Sequence, residues 1–295
     1  MTEAATLSAF EGERRRLTGL AYRMLGSRAE AEDVLQDAWL RWQQAEKDGV
    51  ENPAAFLTSV VTRLCLDRLK AAKAKREVYV GSWLPEPLVE DLAVESDAEL
   101  AADLSVALLL ALERLSPLER AAFLLHDVFE MEFAQVAATL GRSEAACRQL
   151  ASRARANVQL ERPRFPLAPA EGERYARAFL EAARGGSLDG LKGLLAEGAV
   201  LVSDGGGIKL AALNPIRGSD RIARFFAGLA AKPDRPRIAR NRILTINGLP
   251  GILTEYDDGH LQTTALAIEA GAVTAIYVVR NPEKLEHLRP LLDES

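Results

Sequence analysis

The amino-acid sequence predicts a multidomain protein in which two all-α domains precede an α+β domain. Helical patterns with few breakers run over residues 9–76 and return over about 97–161. From Ala170 onward, strand-like runs follow the helices and are separated by turns typical of hairpins, Asn247-Gly248, Asp257-Asp258-Gly259 and Ala270-Gly271. Helices followed by a predicted antiparallel sheet indicate the α+β class.

Segments rich in proline, glycine or acidic residues divide the chain. We predict a helical domain over 1–77, a linker over 78–96, a second helical domain over 97–162, a proline-rich linker over 163–170 and an α+β domain over 171–295. In the last of these, helices are predicted at about 171–184, 188–196 and 219–230. A curved sheet packed on such helices commonly encloses a pocket for a small molecule.

The composition indicates a globular protein. The chain has 295 residues, of which 48% are hydrophobic, enough for packed cores. The N-terminal segment lacks the apolar run of a signal peptide, and no apolar stretch approaches the ~20 residues of a membrane span. We therefore expect a soluble cytoplasmic protein that does not bind membranes.

The cysteines and histidines show no spacing typical of metal ligands. Cys65 and Cys147 fall on apolar helix faces, which predicts buried free thiols. The three histidines, His126, His260 and His287, are far apart in the sequence. We expect neither a metal nor a cofactor.

The first helical domain shows three amphipathic segments. Apolar residues share one face of the first two predicted helices, at Leu17, Leu20, Ala21 and Met24, and at Ala31, Val34, Leu35, Ala38 and Leu40. Asn52 and Pro53 predict the start of a third helix, which is apolar in its first half and basic in its second.

The second helical domain ends in a predicted helix-turn-helix. Ser116, Pro117 and Glu119 form the sequence signature of a capping box, so a helix starts at Pro117. A following helix ends at Gly141, and Ser143 can cap the next one. This last helix has an inner apolar stripe of Cys147, Leu150, Ala151, Ala154 and Val158.

The outer face of that last helix carries Glu144, Arg148, Ser152 and Arg155. Arginine offers a planar fork of donors that matches phosphate oxygens and the acceptor edge of guanine. A cationic helix after a tight turn therefore favours DNA binding in the major groove. A solvated helix in an ordinary bundle is the competing interpretation.

Local charge supports two separate basic regions despite a net charge of −5. Residues 63–77 carry six basic and two acidic side chains, and residues 142–155 carry four and one. Between them, residues 78–112 contain seven carboxylates and no lysine or arginine. Two basic regions joined by an acidic connector indicate that the contact with DNA is divided between two modules.

Three motifs in this order resemble regions two and four of extracytoplasmic function (ECF) sigma factors of bacterial RNA polymerase. They are AEAEDVLQDAWLRW at 29–42, the basic helix after NPAAFL, and the helix-turn-helix at 133–156. YVGSWLPEP, SDGGG at 203–207 and NPEKL at 281–285 further resemble the ECF41, or SigJ-like, subgroup. That subgroup has a C-terminal SnoaL-like domain of the NTF2-like cone fold, and the resemblance covers nearly the whole chain.

The resemblance implies a non-enzymatic partner of polymerase. It implies that Glu32, Asp33, Gln36 and Asp37 dock on the clamp helices of the largest polymerase subunit, and that the protein also contacts the flap region. The loop at 45–53 and the following basic helix would read and open the −10 promoter element. Trp39 and Trp42 fit packing better than base stacking.

The resemblance also assigns DNA contacts and interdomain contacts. Phosphate candidates on the basic helix are Arg63, Arg68, Lys70, Lys73 and Lys75, for which solvated surface charge is the alternative. The −35 element would be contacted by Arg142, Ser143, Arg148, Ser152, Arg153 and Arg155. The interdomain regulatory candidates are Trp83, Leu84, Pro85, Asp204, Gly205, Gly206, Gly207, Asn281, Pro282, Lys284 and Leu285.

Two positions depart from the subgroup pattern. Ile208 follows Gly207, so that Lys209 lies one place later than the lysine of the usual DGGGK motif, and Ser82 replaces a frequent proline. In an extended segment, a shift of one residue would turn the lysine to the opposite face. A plain loop is the alternative interpretation of the glycines.

Two other classes of function stay open at this stage. One is an autonomous, ligand-responsive helix-turn-helix regulator, which the docking motif at 29–42 argues against. The other is an NTF2-like enzyme fused to a DNA-binding module. Suitable acid–base types exist at Asp204, Tyr256, Asp257, His260 and Tyr277, but no spacing singles out a catalytic pair.

Overall fold

A computed structural model describes residues 3–46, 50–76, 79–89, 106–158 and 168–293. The chain forms two compact units. The helical unit comprises Met1–Val78 and Ala107–Arg162, and the C-terminal unit comprises Tyr79–Val106 and Pro163–Ser295. The segment around WLPEP therefore packs with the C-terminal domain.

The helical unit is built from seven described helices: α1 Glu3–Leu25, α2 Arg28–Gln44, α3 Pro53–Arg76, α4 Val106–Glu113, α5 Pro117–Phe123, α6 Phe133–Leu140 and α7 Glu144–Val158. A π-helical turn, Leu124–Val128, extends α5. These bounds confirm the predicted helix starts at Pro53 and Pro117.

Local capping explains where these helices begin and end. The Asn52 side chain accepts a hydrogen bond from the Ala55 amide at 3.0 Å. Ser116 and Glu119 form the predicted capping box. Gly141 ends α6 in the left-handed region at φ 62°, as predicted, and Ser143 accepts from the Ala146 amide at 3.3 Å. The helix-turn-helix therefore forms from signals that the local sequence carries.

The core of α1 to α3 follows the predicted stripes with one exception. Leu17 and Met24 are fully buried, as are Val34 and Ala38. Leu40 is 53% exposed, so its predicted core position is wrong. The buried stripe of α2 runs from Ala38 to Trp42, one turn later, because residues four apart share a helix face and residues two apart do not.

Helices from both halves of the helical unit pack together. Ser59 on α3 hydrogen-bonds Thr139 on α6, with 2.8 Å between the hydroxyl oxygens. The buried Arg120 on α5 donates to the carbonyl of Met24, at the end of α1, and pairs with Glu113 at 2.7 Å. The helix-turn-helix is thus closed onto the first three helices.

The C-terminal unit contains three described α-helices and a six-stranded sheet. The helices are α8 Pro169–Gly185, α9 Leu188–Leu194 and α10 Ser219–Ala230. The strands are β1 Leu195–Asp204, β2 Ile216–Arg217, β3 Ile238–Ile246, β4 Leu249–Tyr256, β5 Leu261–Glu269 and β6 Ala272–Val279. The last four confirm the predicted strand-like runs.

The sheet is mixed, which corrects the predicted antiparallel sheet. Its strand order is β2-β1-β6-β5-β4-β3, and β1 lies parallel to β6 while the other pairs are antiparallel. The predicted helix at 188–196 ends at Leu194, where β1 begins. In the chain, β1 is separated from β6 by β2, α10 and the strands β3 to β5. Parallel strands need such a long connection, whereas a tight hairpin turn joins only antiparallel strands.

The core of the C-terminal unit lies between the sheet and its helices. Fully or nearly fully buried side chains include Phe179, Leu201, Ile222, Leu266 and Ile276. Cys65 and Cys147 of the helical unit are buried and free, which confirms the predicted thiols. Among the described helices, none is long and apolar enough to cross a membrane.

Candidate functional site

The outer face of α7 presents the predicted arginines. The stripe of Cys147, Ala151, Ala154 and Val158 is buried, so the opposite face points away from the core. Arg142, Ser143, Arg148, Ser152 and Arg153 are exposed, and Arg155 is half-buried. The fold therefore leaves a cationic face accessible.

Arg148 and Arg155 form ion pairs with acidic residues of the helical unit. Arg148 pairs with Glu144 at 2.6 Å, and its guanidinium carbon lies 5.1 Å from the centroid of the Phe133 ring. Arg155 pairs with Asp127 at 2.5 Å. The Arg148 pair is solvent-exposed and therefore weak, so this side chain can exchange Glu144 for a phosphate at small cost.

The basic helix α3 is less free than its sequence predicts. Arg63 donates to the carbonyls of Thr139 at 3.2 Å and Ala138 at 3.3 Å, near the C-terminus of α6. A cation at a helix C-terminus is stabilised by the partial negative charge there. Any contact of Arg63 with DNA requires these bonds to be exchanged.

Arg68 joins two surfaces that the sequence analysis treated separately. Its guanidinium pairs with Asp33 at 3.3 Å and with Asp37 at 3.0 Å, so a DNA candidate binds two polymerase candidates. Lys70 pairs with its exposed neighbour Asp67 at 3.2 Å. The side chains of Lys73 and Lys75 lie outside the described residues.

The acidic face of α2 otherwise points outward. Glu32 and Gln36 are exposed, and Glu32 pairs with Arg28 at 2.8 Å. Trp42 is buried and donates to the Thr6 carbonyl at 2.9 Å, while Trp39 packs against Phe10. Both tryptophans therefore pack inside the helical unit.

A second site, which we term the linker clamp, holds the linker on the C-terminal unit through Tyr79, Leu84, Asp204, Asn281 and Lys284. The Asp204 carboxylate is 1% exposed. One of its oxygens accepts from the Tyr79 hydroxyl at 2.5 Å, and the other accepts from the Leu84 amide at 2.9 Å and from Lys284 Nζ at 2.8 Å. Lys284 also donates to the Leu84 carbonyl at 2.5 Å.

The glycine turn fits closely against this clamp. Gly206 donates its amide to Asp204 at 2.9 Å and lies in the left-handed region at φ 64°. A Cβ atom there would lie 2.5 Å from the carboxamide of the buried Asn281, whose Nδ2 donates to the Tyr79 hydroxyl at 3.2 Å. A Cβ at Gly205 would lie 2.0 Å from the Lys209 carbonyl oxygen. Both positions therefore require glycine.

Further contacts extend the docked segment on both sides of the clamp. Lys284 Nζ lies 4.4 Å from the centroid of the Trp83 ring, a cation–π distance. Leu84 and Pro85 are buried. The Leu88 carbonyl accepts from the Asn247 amide at 2.8 Å, the Leu88 amide donates to the side-chain oxygen of Asn247 at 3.1 Å, and Val89 bridges to Ile246. Residues 79–89 thus lie on the C-terminal unit along their length.

The NPEKL segment forms the wall that faces the linker. Asn281 caps a short 3-10 turn, Pro282–Lys284, by accepting from the Glu283 amide, and Leu285 is fully buried. This turn orients Lys284 toward Asp204. Burial and the hydrogen bond to Asp204 raise the pKa of the Tyr79 hydroxyl, which keeps it a donor.

Sequence reasoning missed Tyr79 and Asn247. Their partners are distant in sequence, so only the position of Tyr79 beside WLPEP was a signal. Lys209 does not lie in an extended segment, because residues 206–208 turn, and its ammonium is 3.7 Å from Asp258. Because Lys209 lies in a bend, the alternation of side chains between the two faces of a strand does not set its direction.

The acid–base candidates of the C-terminal unit are dispersed. Asp204 belongs to the linker clamp, and Asp257 accepts from the Arg237 amide. Tyr256 and His260 stack on each other, with 4.3 Å between ring centroids. Asp258, which the sequence analysis did not select, pairs with His260. In the described part of the chain, no cluster of three or more His, Cys, Asp or Glu side chains can hold a metal ion.

Comparison with known families identifies the two helical segments. Residues 9–75 match the model of Sigma-70 region 2, and residues 105–158 match that of Sigma-70, region 4. Together with the cationic face of α7, they define the class as a sigma factor, which directs transcription initiation with core RNA polymerase at promoter DNA.

Full-length relatives specify the family. The ECF RNA polymerase sigma factor SigJ of Mycobacterium tuberculosis is 39% identical, over 94% of this chain and 92% of its own length. The probable ECF RNA polymerase sigma factor SigI of that organism is 32% identical, over 96% and 95%. The crystal structure of M. tuberculosis SigJ matches with a TM-score of 0.75 at 37% identity, covering 95% of this chain and 98% of that one. The chain belongs to the ECF sigma factor family, whose members are not enzymes, and is closely related to SigJ.

Proposed function

We propose that this ECF sigma factor is regulated by its own C-terminal domain, in place of a separate anti-sigma factor. The observation that carries the proposal is the linker clamp, in which the linker between the two sigma regions is bound by Asp204 and Lys284. A sigma factor places its two DNA-reading modules on two promoter elements. Binding the chain that joins them controls how far apart they can reach.

The length of the docked segment supports this mechanism. Residues 79–89 span about 36 Å when extended at ~3.3 Å per residue. While this segment is docked on the C-terminal unit, that contour length cannot separate the helical modules at 1–77 and 97–162. When the clamp is released, residues 79–89 again become available to separate the two helical modules. The equilibrium between docked and released linker is thus the controlled step.

The helical modules supply the proposed contacts with polymerase and promoter DNA. We infer that Glu32, Asp33, Gln36 and Asp37 dock on the clamp helices of the largest polymerase subunit, and that the chain also contacts the flap region. In the proposed DNA-bound form, α3 contacts the −10 element and the outer face of α7 contacts the −35 element. Arg63 and Arg68 reach phosphates only after releasing α6 and α2, which implies an opening of the helical unit on polymerase.

In vitro transcription with core polymerase tests the regulatory proposal. Asp204→Asn and Lys284→Met weaken the clamp in the full chain, and Lys192→Met, which breaks an exposed pair with Asp220, is the matched control. We expect both clamp variants to shift run-off transcript yield in the same direction as truncation after Pro166, by about threefold or more. The control should match the unaltered chain.

Equal yields from the full chain, the truncated chain and both clamp variants would refute regulation by this domain. Tight, specific footprinting on promoter DNA without polymerase would instead favour an autonomous regulator. The two results are separable because the first changes output with polymerase present and the second needs none.

A further inference from the structure

The C-terminal unit encloses a cavity that the linker clamp does not use. Its volume is about 1190 Å³, and its walls come from α8, α10 and the sheet. Apolar side chains form much of the surface, including Phe179, Leu201, Phe226, Ile252 and Val278. Cavities of several hundred Å³ with apolar walls and a few convergent polar groups are typical of small-molecule sites.

Arg280 is the unusual polar group in this cavity. Its side chain is half-buried, and Nη2 lies 3.0 Å from Nε2 of His260 while Nη1 donates to the Leu210 carbonyl. Both acceptors are neutral. Nε is buried and has no hydrogen-bond partner in the described part of the chain. No described carboxylate lies within the 4.0 Å of an ion pair to this guanidinium.

The nearby carboxylate, Asp258, contacts residues other than Arg280. Asp258 pairs with Nδ1 of His260 and lies 3.7 Å from Lys209 Nζ. Burial lowers the pKa of His260, and Arg280 acts in the same direction, so the imidazole is neutral near pH 7. Its Nδ1–H then donates to Asp258, and its Nε2 accepts from Arg280. This chain orients the guanidinium without neutralising its charge.

The lining of the cavity carries an excess of positive charge. Six basic side chains line the cavity against two carboxylates, Asp234 and Asp258; they are Arg184, Lys209, Lys232, Arg235, Arg237 and Arg280. A concave surface with an excess of one sign concentrates ligands of the opposite sign. The charge distribution and the Arg280 guanidinium therefore both favour an anionic ligand.

We propose that this cavity binds an amphipathic organic anion, with its acidic head at Arg280 and its apolar body against Phe179 and Phe226. A carboxylate, sulfonate or phosphate head would supply a negative charge opposite Arg280. It would also accept hydrogen bonds from the planar guanidinium. The buried Nε of Arg280 has no hydrogen-bond partner in the described part of the chain, so an anion that accepts from it satisfies a donor that is otherwise unpaired. Binding of this ligand is a property separate from regulation through the linker, and it can be measured without polymerase.

A matched pair of fluorescent probes tests the proposal on the full chain. The anion 8-anilinonaphthalene-1-sulfonate and the neutral N-phenyl-1-naphthylamine share the same aromatic body. We expect saturable 1:1 binding of both, competition between them, and about tenfold or more tighter binding of the anion. Arg280→Gln should remove most of this preference while leaving the affinity for the neutral probe within about twofold.

Arg177→Gln is the control variant, because Arg177 lies on the same helix as Phe179 but pairs with Glu173 on the exposed face. It should change neither affinity. Thermal unfolding of each variant verifies that the fold is intact. Equal affinity for the two probes, absence of competition, or an Arg280→Gln effect of equal size on both probes would overturn the proposal. Transcription is not measured, so this failure is distinct from failure of the linker mechanism.

Discussion

The linker clamp and the cavity wall are two charged clusters of one domain, and Lys284 of the clamp follows Arg280 of the wall by a few residues. In the clamp, each oxygen of Asp204 accepts two hydrogen bonds, from Tyr79 and Gly206 on one side and from Leu84 and Lys284 on the other. In the wall, Arg280 has neutral acceptors and a buried Nε without a partner in the described chain. The clamp pairs its carboxylate with a lysine, whereas no described carboxylate lies within ion-pair distance of Arg280 in the wall.

This difference distinguishes a cluster that stabilises the docked linker from a cluster that can bind an anionic ligand. A buried charge that is fully paired resists removal of either partner, while one that is incompletely paired gains by acquiring a ligand. The two clusters also touch, because the Arg280 amide donates to the Asp204 carbonyl at 2.7 Å. Substitutions in each cluster should therefore have distinct consequences for stability.

The largest expected effect separates the two clusters directly. Asp204→Asn removes the carboxylate that pairs with the buried Lys284 and should lower the free energy of unfolding of the C-terminal unit by about 3 kcal/mol. Arg280→Gln removes a charge that has no ion-pair partner among the described residues, and it should change the free energy of unfolding by less than about 1 kcal/mol. Urea unfolding followed by hydrogen exchange of strands β1 to β6 measures both. Similar losses for the two variants would remove the distinction.

A smaller effect is expected from the turn that supports the clamp. Gly206→Ala combines a left-handed backbone with a close approach to Asn281 and should cost about 2 to 3 kcal/mol. Gly259→Ala is the matched control, because its φ is 78° but no atom lies within 4 Å of the added Cβ, so it should cost about 1 kcal/mol. The midpoint of urea unfolding gives the comparison. Equal losses would mean that the contact with Asn281 is not restrictive.

The smallest effect concerns pH and the cavity wall. His260 faces Asp258, Tyr256, Arg280 and Lys209, and burial lowers its pKa from the ordinary 6.5. The unfolded chain then takes up a proton at a higher pH than the folded chain, so stability decreases as the pH falls below about 6.5.

His260→Gln should remove this part of the slope, which we expect to be less than about 1 kcal/mol between pH 7 and pH 5.5. Unfolding free energies measured across that range for both chains provide the check. An unchanged slope in the variant would show that His260 is not the titrating group.

Elements marked by local signals were predictable. The capping box at Ser116, the end of α6 at Gly141 and the strands of the final hairpins follow from residues a few positions apart. Leu40 was misplaced because a helix face continues at three or four residues, and Trp42 took that position. The parallel pairing of β1 with β6 had no local signal at all.

The sequence by itself determined the helical modules, the cationic face of α7, most strands and the family resemblance, since periodicity, caps and turn residues act over a few positions. Only the tertiary structure decided which charges meet. Arg68 meets Asp37 across 31 positions, Lys284 meets Asp204 across 80, and Arg280 meets no described carboxylate. Partners so far apart are selected by packing, because folding must bring them together before Coulomb attraction or desolvation can act between them.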